Sequence, residues 1–377
     1  MDFKGLLALM VQKKASDLFI TAERAPTIKV DGALMEVSKT LLTAEQTLKI
    51  VLSIMDQRQK IEFENTKECQ FAINVPDLGR FRVSAFTQRD SAGMVLRRIE
   101  SDIPDADDLN LPAVLKDLIM EKRGLIIFVG GTGTGKSTSL AALIKHRNQN
   151  SSGHIITIED PIEFHHPHLG CIITQREVGI DTESYEVALK NTLRQAPDVI
   201  LIGEIRTRET MQNAITFAET GHLCLSTLHA NNANQALDRI LHFFPDEMRD
   251  QLLMDLSLNL KGIVAQQLIK RADEKGRYPA VEILINTPLA KDYIRKGEIH
   301  KLKELMKESR EQAMQTFDQA LFDLYMAGKI SYEDALNSAD SRNEVRLMIK
   351  LNTENAGAFE NNNMLLSETD DDKKFIN

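Results

Sequence analysis

Cysteine is scarce in this sequence, with three residues in a chain of 377. Cys69, Cys171 and Cys224 are odd in number and far apart, which excludes a disulfide framework and favours a reducing cytosol. Long apolar runs are missing as well, because no stretch of about 18 apolar residues occurs in the sequence. The pattern therefore argues against a membrane-spanning helix and a signal peptide, and we expect any role at a membrane to be peripheral.

Tryptophan is absent, and positive charge is not in surplus. The chain has 46 Lys and Arg against 55 Asp and Glu, which gives a net charge of −9. Proteins that track single-stranded nucleic acid interleave aromatic with basic residues, and this sequence shows no such pattern. What it does have is an ordinary globular composition, with 42% hydrophobic and 27% charged residues. We therefore predict a folded protein that does not bind nucleic acid.

The length favours two domains and an additional segment. Residues 1–99 combine helical spacing with alternating apolar residues, which predicts a mixed α/β domain. Within it we predict a hairpin at Asp31-Gly32, a helix capped by Thr43, and paired strands over 79–98 that turn at 90–93. Residues 100–112 are acidic and bracketed by prolines, and we interpret them as a linker.

Short apolar runs separated by helical patterns follow the linker. This arrangement is typical of buried parallel strands, and we assign residues 113–288 to a second domain. The runs are Gly124–Val129, Ile155–Ile158, Val199–Ile202 and Leu223–Ser226. After Pro279 the pattern predicts helices, which define a C-terminal helical region at 289–351. Residues 352–377 are rich in Asn, Glu and Asp, and we predict a disordered acidic tail.

A phosphate-binding loop follows the first of these runs. The sequence from Gly130 to Ser137 fits G-x-x-x-x-G-K-[ST], between an apolar strand and a predicted helix. In such loops backbone N–H groups converge on phosphate oxygens, the lysine reaches the β and γ oxygens, and the hydroxyl binds Mg²⁺. The candidate nucleotide-binding residues are Gly130, Gly131, Thr132, Gly133, Thr134, Gly135, Lys136, Ser137 and Thr138.

Carboxylates follow two of the other strands. Glu204 comes directly after Val199–Ile202 and Gly203, at the position where nucleotide hydrolases place an acid near Mg²⁺, so Ser137 and Glu204 are the candidate metal ligands. Glu159, Asp160 and Glu163 follow the strand at 155–158. Ligands of α/β sheets bind at the carboxyl ends of the strands, so we predict that at least one of these acids polarises water or positions the metal.

Histidines mark both ends of the strand at 223–226. His222 precedes it and His229 follows it, and either imidazole is a candidate for contact with a γ-phosphate. A second group, His165, His166 and His168 with Cys171, is too crowded around Pro167 for a tetrahedral zinc site. We interpret that group as a solvated loop and expect no zinc.

The motifs in this order resemble the secretion-ATPase superfamily of bacterial type II secretion and type IV pili. The phosphate loop is followed by Ile-Glu-Asp-Pro-Ile-Glu, Leu-Ile-Gly-Glu-Ile-Arg and Gly-His…Thr-Leu-His-Ala-Asn. Further stretches at 175–179, 193–198 and 218–222 are similar to the pilus retraction ATPases of the PilT and PilU types. The stretch at 289–295 departs from the PilT-type motif, so the PilU type is the closer match.

The resemblance implies a PAS-like α+β domain at the N-terminus, followed by a RecA-like P-loop domain with a helical C-terminal region. It also implies a cytoplasmic hexamer at the inner membrane that hydrolyses ATP with Mg²⁺ during pilus retraction. A PilT-type motor and the inner-membrane pilus platform protein are the implied partners. By matching motif, Glu163 belongs to the acidic box, Glu204 to the Walker B position, and His222 and His229 to the histidine box. We favour Glu204 as the essential carboxylate and Glu163 as the group that orients water.

Ring ATPases commonly use an arginine from a neighbouring subunit to stabilise charge on the γ-phosphate. By analogy with the family, the candidates for this role in trans are Arg80, Arg82, Arg97 and Arg98. Arg194, Arg206 and Arg239 are further candidates.

Two alternative functions remain open at this stage. The first is a nucleotide-binding accessory subunit of the retraction motor with little turnover, which would suit the altered stretch at 289–295. The second is a RecA-like nucleic-acid translocase, which the charge and composition disfavour. Residues 289–310 hold seven Lys or Arg against four acids, so they form either a solvated face or a docking surface.

Overall fold

A computed structural model describes residues 3–30, 32–99, 102–273 and 276–357. The N-terminal domain contains a six-stranded antiparallel sheet in the order β3-β2-β1-β6-β5-β4. Its elements are α1 (Phe3–Gln12), β1 (Asp17–Ile20), β2 (Thr27–Val30), β3 (Ala33–Glu36), α2 (Ala44–Ser53), α3 (Gln57–Thr66), β4 (Glu68–Val75), β5 (Gly79–Gln88) and β6 (Ser91–Arg98). The α/β character predicted for this domain is confirmed.

Local signals in this domain were mostly accurate. The hydroxyl of Thr43 accepts a hydrogen bond from the Gln46 amide, and the Gln46 side chain accepts one from the Thr43 amide, which confirms the predicted cap. The hairpin β2–β3 also forms, although Asp31 lies outside the described residues. The turn between β5 and β6 was predicted too late in the chain. It lies at Arg89 and Asp90, which both have positive φ, as two-residue hairpin turns require.

The second domain is built on a seven-stranded sheet in the order β13-β12-β7-β11-β10-β8-β9. All neighbouring strands are parallel except β12 and β13. Its elements are α4 (Val114–Ile119), β7 (Gly124–Val129), α5 (Lys136–Asn150), β8 (Gly153–Glu159), β9 (Cys171–Glu177), α6 (Tyr185–Thr192), β10 (Val199–Ile202), α7 (Arg208–Glu219), β11 (Leu223–Leu228), α8 (Ala233–His242), α9 (Arg249–Asn259), β12 (Leu260–Lys270) and β13 (Arg277–Ile285).

The central strands are covered on both faces, which explains their continuous apolar sequence. Leu125, Ile127 and Val129 of β7 belong to one hydrophobic cluster, whereas Ile126 and Phe128 belong to the cluster on the opposite face. A strand that buries both sets of side chains has no reason to alternate with polar residues. The α/β class of this domain is therefore confirmed, with the four predicted runs in β7, β8, β10 and β11.

The C-terminal helices begin later than the pattern predicted. Pro279 lies inside β13, an edge strand, where a residue without an amide hydrogen is tolerated. The helices that follow are α10 (Pro288–Arg295), α11 (Leu302–Glu308), α12 (Phe317–Met326), α13 (Tyr332–Ser338) and α14 (Arg342–Gly357). The helix α14 extends into the segment predicted as a disordered tail, and residues 358–377 lie outside the described residues.

The acidic segment before the second domain packs more closely than a free linker would. Ile103, Ala106 and Leu111 are buried, and the last two join the core of the second domain. Lys145 of α5 pairs with Asp105 and donates to the carbonyl of Ile103. This segment therefore attaches to the second domain. Among the described residues, no helix combines the length and the apolar character needed to cross a membrane.

Candidate nucleotide-binding site

The phosphate-binding loop connects the carboxyl end of β7 to the first turn of α5, as predicted. Gly130 has a φ of +155°, and a Cβ there would lie 2.5 Å from the hydroxyl of Thr134. Only glycine fits both the backbone conformation and the space. Residues Thr132 to Thr138 line a cavity of about 610 Å³, and Gly130 and Gly131 line an adjoining cavity of about 390 Å³.

Lys136 is the cation of this loop. Its Nζ donates to the carbonyl oxygens of Gly130 at 2.7 Å and Gly131 at 2.8 Å, and the residue is only 9% exposed. Burial lowers the pKa of Lys136, while the nearby carboxylates of Glu204 and Glu163 oppose that shift. The ammonium group therefore lies on the wall of the cavity with oxygen acceptors around it, and phosphate oxygens provide acceptors of the same kind.

Gln266 of β12 supports the loop, a role that the sequence analysis missed. Its Nε2 donates to the carbonyl of Thr134 at 2.8 Å, and its Oε1 accepts from the hydroxyl of Ser139 at 2.8 Å. The side chain is almost fully buried, so its amide needs both partners. A glutamine inside an apolar strand is unusual, and that was the signal available in the sequence.

Glu204 lies two residues beyond the end of β10, on the wall of the same cavity. Its Oε2 accepts from Arg206 Nε at 2.7 Å, and its Oε1 lies 3.2 Å from His229 Nε2. The preceding residue is Gly203, where a Cβ would lie 2.8 Å from the hydroxyl of Tyr185 and 3.1 Å from the Cα of Glu159, so a larger residue would require these neighbours to shift.

The acidic box lies at the carboxyl end of β8, on another part of the cavity wall. Glu159, Asp160 and Glu163 all line the cavity, together with Lys136 and Glu204. Burial raises the pKa of Glu159 to about 7, against the opposing effect of hydrogen bonds from Thr157 and Gln175. Glu159 is therefore partly protonated near neutral pH, whereas Glu163 lies exposed on the cavity surface.

The oxygen donors in the cavity suit a hard cation. The Ser137 hydroxyl and the Glu204 carboxylate lie on its wall, and oxygen ligands are those that Mg²⁺ prefers. Within the described ranges, no cluster of three or more His, Cys, Asp or Glu is arranged to hold a metal by itself. Ser137 and Glu204 could therefore contribute oxygen ligands to Mg²⁺.

His222 and His229 lie at the two opposite ends of β11. His229 lines the cavity beside Glu204, as predicted. His222 precedes β11, and its Nδ1 lies 3.1 Å from the Thr220 hydroxyl and 3.2 Å from the Phe217 carbonyl oxygen. A strand of six residues separates them, which is about 20 Å at the usual rise of a β-strand. Within one chain, His222 therefore does not join the predicted site.

The histidine-rich loop is not fully solvated, contrary to the interpretation from sequence. His166 is 6% exposed, its amide donates to Gln175 Oε1, and burial lowers the pKa of its imidazole to about 4. The Nδ1 of His168 accepts from the amide of Ile173 at 3.1 Å. These contacts give the loop a defined structure beside the acidic box.

The arginines proposed to act in trans are engaged within their own chain. Arg82 Nε lies 3.1 Å from Glu177 Oε1, and Arg80 lies 3.6 Å from Asp181. Arg97 pairs with Asp17 of the same domain. Arg82, Arg97 and Arg98 all line a cavity of about 240 Å³ that also reaches Glu163. Of the further candidates, Arg206 lines the nucleotide cavity, and Arg194 and Arg239 are not among its described lining residues.

Comparison with known proteins places this geometry in a family. Residues 3–337 match the family model described as type II/IV secretion system protein. The chain is 65% identical to the type IV pilus ATPase PilU of Pseudomonas aeruginosa over 354 residues, which cover 94% of this chain and 93% of that protein. It is 39% identical to the retraction ATPase PilT of the same organism, over 90% of this chain and 98% of PilT.

A solved structure shows the same fold. The crystal structure of the pilus retraction motor PilT with bound ADP superposes with a TM-score of 0.86 at 37% identity. The match covers 92% of this chain and 100% of that structure.

Proposed function

Because the chain belongs to the type II/IV secretion system protein family, we propose that this ATPase is a motor of type IV pilus retraction. The similarity to PilU along nearly the whole chain carries the proposal. The cavity supports it, since it brings the phosphate loop, Glu204 and His229 together at one edge of the sheet. The resulting movement would be twitching motility.

Each side chain of the cavity has a proposed part in hydrolysis. The loop amides and Lys136 bind the phosphates and balance the charge of the γ-phosphoryl group. Ser137 and Glu204 would hold Mg²⁺, which when bound would supply electrostatic stabilisation of the phosphate oxygens. Glu204 is the essential carboxylate, Glu163 orients the attacking water, and His229 holds the Glu204 carboxylate in place. The 3.2 Å contact between Glu204 and His229 supports the last assignment.

The active assembly is proposed to be a homo-hexamer with ATP between subunits, in the cytoplasm at the inner membrane. We propose that it acts beside a PilT-type motor and contacts the inner-membrane pilus platform protein. Neither zinc nor nucleic acid has a part in this function. We further propose that the N-terminal PAS-like domain spans 1–99 and that the RecA-like domain spans 113–288.

The positive charge of residues 289–310 does not support the hypothesis that this segment is a docking surface. Six of its seven cations form ion pairs in the structure. Three of the acidic partners, Asp323, Asp340 and Glu344, lie outside the segment and balance its excess charge. The sequence count missed this because the helices α12 to α14 bring those acids back to the segment.

The proposal is tested by ATPase assays of the purified protein, alone, with a PilT-type motor, and with single-stranded DNA. We expect turnover without DNA and, with nucleotide bound, a particle with the mass of six 42.4 kDa chains. Bound ATP without turnover would favour the accessory subunit, and turnover that depends on DNA would favour the translocase. Deletion of the gene should impair pilus retraction, and normal retraction in the deletion strain would contradict the cellular role.

A further inference from the structure

The strand β5 presents two arginines to the second domain. Phe81 and Val83 face the core of the N-terminal domain and are fully buried, so the alternation of a strand places Arg80 and Arg82 on the opposite face. Arg82 Nε lies 3.1 Å from Glu177 Oε1, and the two residues are 95 positions apart in the chain. This ion pair therefore joins the two domains.

The same ion pair holds one peptide of the acidic box. Arg82 Nη2 donates to the carbonyl oxygen of Ile162 at 3.3 Å, and Glu177 Oε2 accepts from the Ile162 amide at 3.4 Å. Both polar groups of Ile162 are thus bound by the pair. Ile162 directly precedes Glu163, which lines the nucleotide cavity and the smaller cavity beside Arg82.

A second ion pair holds the turn that carries Glu177. Asp181 Oδ2 accepts from the backbone amide of Glu177 at 2.9 Å and lies 3.6 Å from Arg80 Nη2. Glu177 is 3% exposed, so its carboxylate depends on Arg82 for a counter-charge. Loss of the Arg82 contact would therefore leave the Glu177 carboxylate without its counter-charge.

From these contacts we propose that Arg82 and Glu177 are positioning residues that couple the orientation of the N-terminal domain to Glu163 of the same chain. When the domain is seated, the pair fixes the Ile162 peptide and with it the direction of Glu163 into the cavity. When the domain moves away, the peptide is released. The proposal rests on the role in hydrolysis proposed above for Glu163, and it assigns Arg82 a function in cis.

Steady-state kinetics of Arg82→Gln and Glu177→Gln provide the first test. Misplacement of a catalytic group by about 1 Å costs up to about 100-fold, so we expect kcat to fall about 10- to 100-fold while the KM for ATP stays within about two-fold. Arg82→Lys keeps the charge and should recover part of the loss. Arg24→Gln is the matched control, since the ion pair of Arg24 with Glu36 stays within the N-terminal domain. Unchanged kcat in folded Arg82→Gln overturns the proposal.

Hydrogen exchange tests the geometry without relying on activity. In Arg82→Gln and in Glu177→Gln, the amide of Ile162 should lose protection from exchange, whereas Arg24→Gln should leave that protection unchanged. If the Ile162 amide keeps its protection in Arg82→Gln and Glu177→Gln, the proposal that the ion pair holds the Ile162 peptide is overturned, whatever the kinetics. If Glu163→Gln retains the wild-type kcat, the proposed role of Glu163 fails. The exchange data still decide whether the ion pair of Arg82 and Glu177 holds the Ile162 peptide.

Mixed assemblies separate action in cis from action in trans. Chains with Arg82→Gln and chains with Glu163→Gln carry different tags, and doubly purified particles contain both. If Arg82 acts on its own chain, each chain has a defect in its own site, and mixing restores no turnover. Recovery of turnover in the mixed particles would show that Arg82 serves the neighbouring site and would overturn the proposal.

Discussion

The parallel strands of the seven-stranded sheet have their carboxyl ends on one side and their amino ends on the other, and we call these sides the carboxyl edge and the amino edge. The polar side chains of the two sides do different things. At the carboxyl edge, Lys136, Glu163, Glu204 and His229 surround a cavity of about 610 Å³. The strands end there in loops whose side chains face the cavity. This edge therefore carries the groups that we propose bind and hydrolyse a nucleotide.

At the amino edge, polar side chains bond to the fold itself. Asp198 accepts from the amide of His154, and the His154 ring lies within hydrogen-bond distance of the Gln195 carbonyl and the Thr174 hydroxyl. The ring of His222 is paired in the same way with Thr220 and Phe217. Histidines and acids at this edge thus stabilise loops and strand ends.

Residue type alone therefore does not distinguish a side chain that takes part in chemistry from one that supports the fold. A parallel sheet brings the carboxyl ends of consecutive strands to one edge, where ligands bind. His229, which follows β11, lies on the cavity wall, whereas His222, which precedes β11, contacts Thr220 and Phe217. The following predictions test this difference from its largest expected effect to its smallest.

Replacing Lys136 with alanine should remove the main phosphate-binding cation of the carboxyl edge. We expect turnover to fall about 1000-fold, because preorganised charge at a transferred phosphoryl group contributes on that scale. The fold should persist, since the ammonium group donates only to two loop carbonyls. ATPase assays with circular dichroism measure both effects, with Lys190→Ala, an exposed residue of α6, as the control. Wild-type turnover in a folded variant would contradict the assignment.

Replacing Glu204 with glutamine should separate binding from hydrolysis. The amide has nearly the same shape but lacks the charge, so we expect ATP binding to persist and kcat to fall about 100-fold. Fluorescence titration with a nucleotide analogue, combined with turnover measurements, gives the two quantities. Simultaneous loss of binding and turnover would indicate that Glu204 mainly holds Mg²⁺.

Local sequence patterns predicted much of the fold because each depends on neighbouring residues. The apolar runs of β7 and β10, the capping box at Thr43 and the phosphate loop are all of this kind. The strand β9, at the edge of the sheet, was missed because its sequence, Cys171–Glu177, has three apolar residues followed by four polar ones and so lacks both an alternating pattern and a long apolar run. The strand β13 was missed because Pro279 indicated a break.

The site was predictable where a motif carries it and unpredictable where distant segments meet. Lys136 and Glu204 lie in such motifs, and both line the cavity. Gln266 stands out as a polar residue in an apolar strand, but its contact with the phosphate loop joins residues 132 positions apart, and no local pattern indicates which residue it contacts. The pairing of Arg82 with Glu177 depends on how the two domains pack, which the order of residues along the chain does not specify.

His229 and His222, which flank β11, allow the carboxyl edge and the amino edge to be compared directly. His229→Ala removes the contact with Glu204 Oε1, and we expect kcat to fall about ten-fold through poorer positioning of that carboxylate. His222→Ala removes contacts with Thr220 and Phe217 at the other edge and should lower kcat less than about two-fold. Both variants are compared at saturating ATP. Equal losses would mean that His222 serves a nucleotide site on another chain.

Asp198 tests the amino edge by itself, with the smallest expected effect. Its carboxylate accepts from the His154 amide at 2.8 Å, which closes the start of β8 against the start of β10. Asp198→Ala removes that acceptor, and an exposed hydrogen bond of this kind contributes about 1 kcal/mol to the free energy of unfolding. We expect Tm to fall by about 2–4 °C, with kcat and KM unchanged. Asp198→Asn keeps an acceptor oxygen and should lose less. A fall in kcat without a fall in Tm would place chemistry at the amino edge and break the distinction between the two edges.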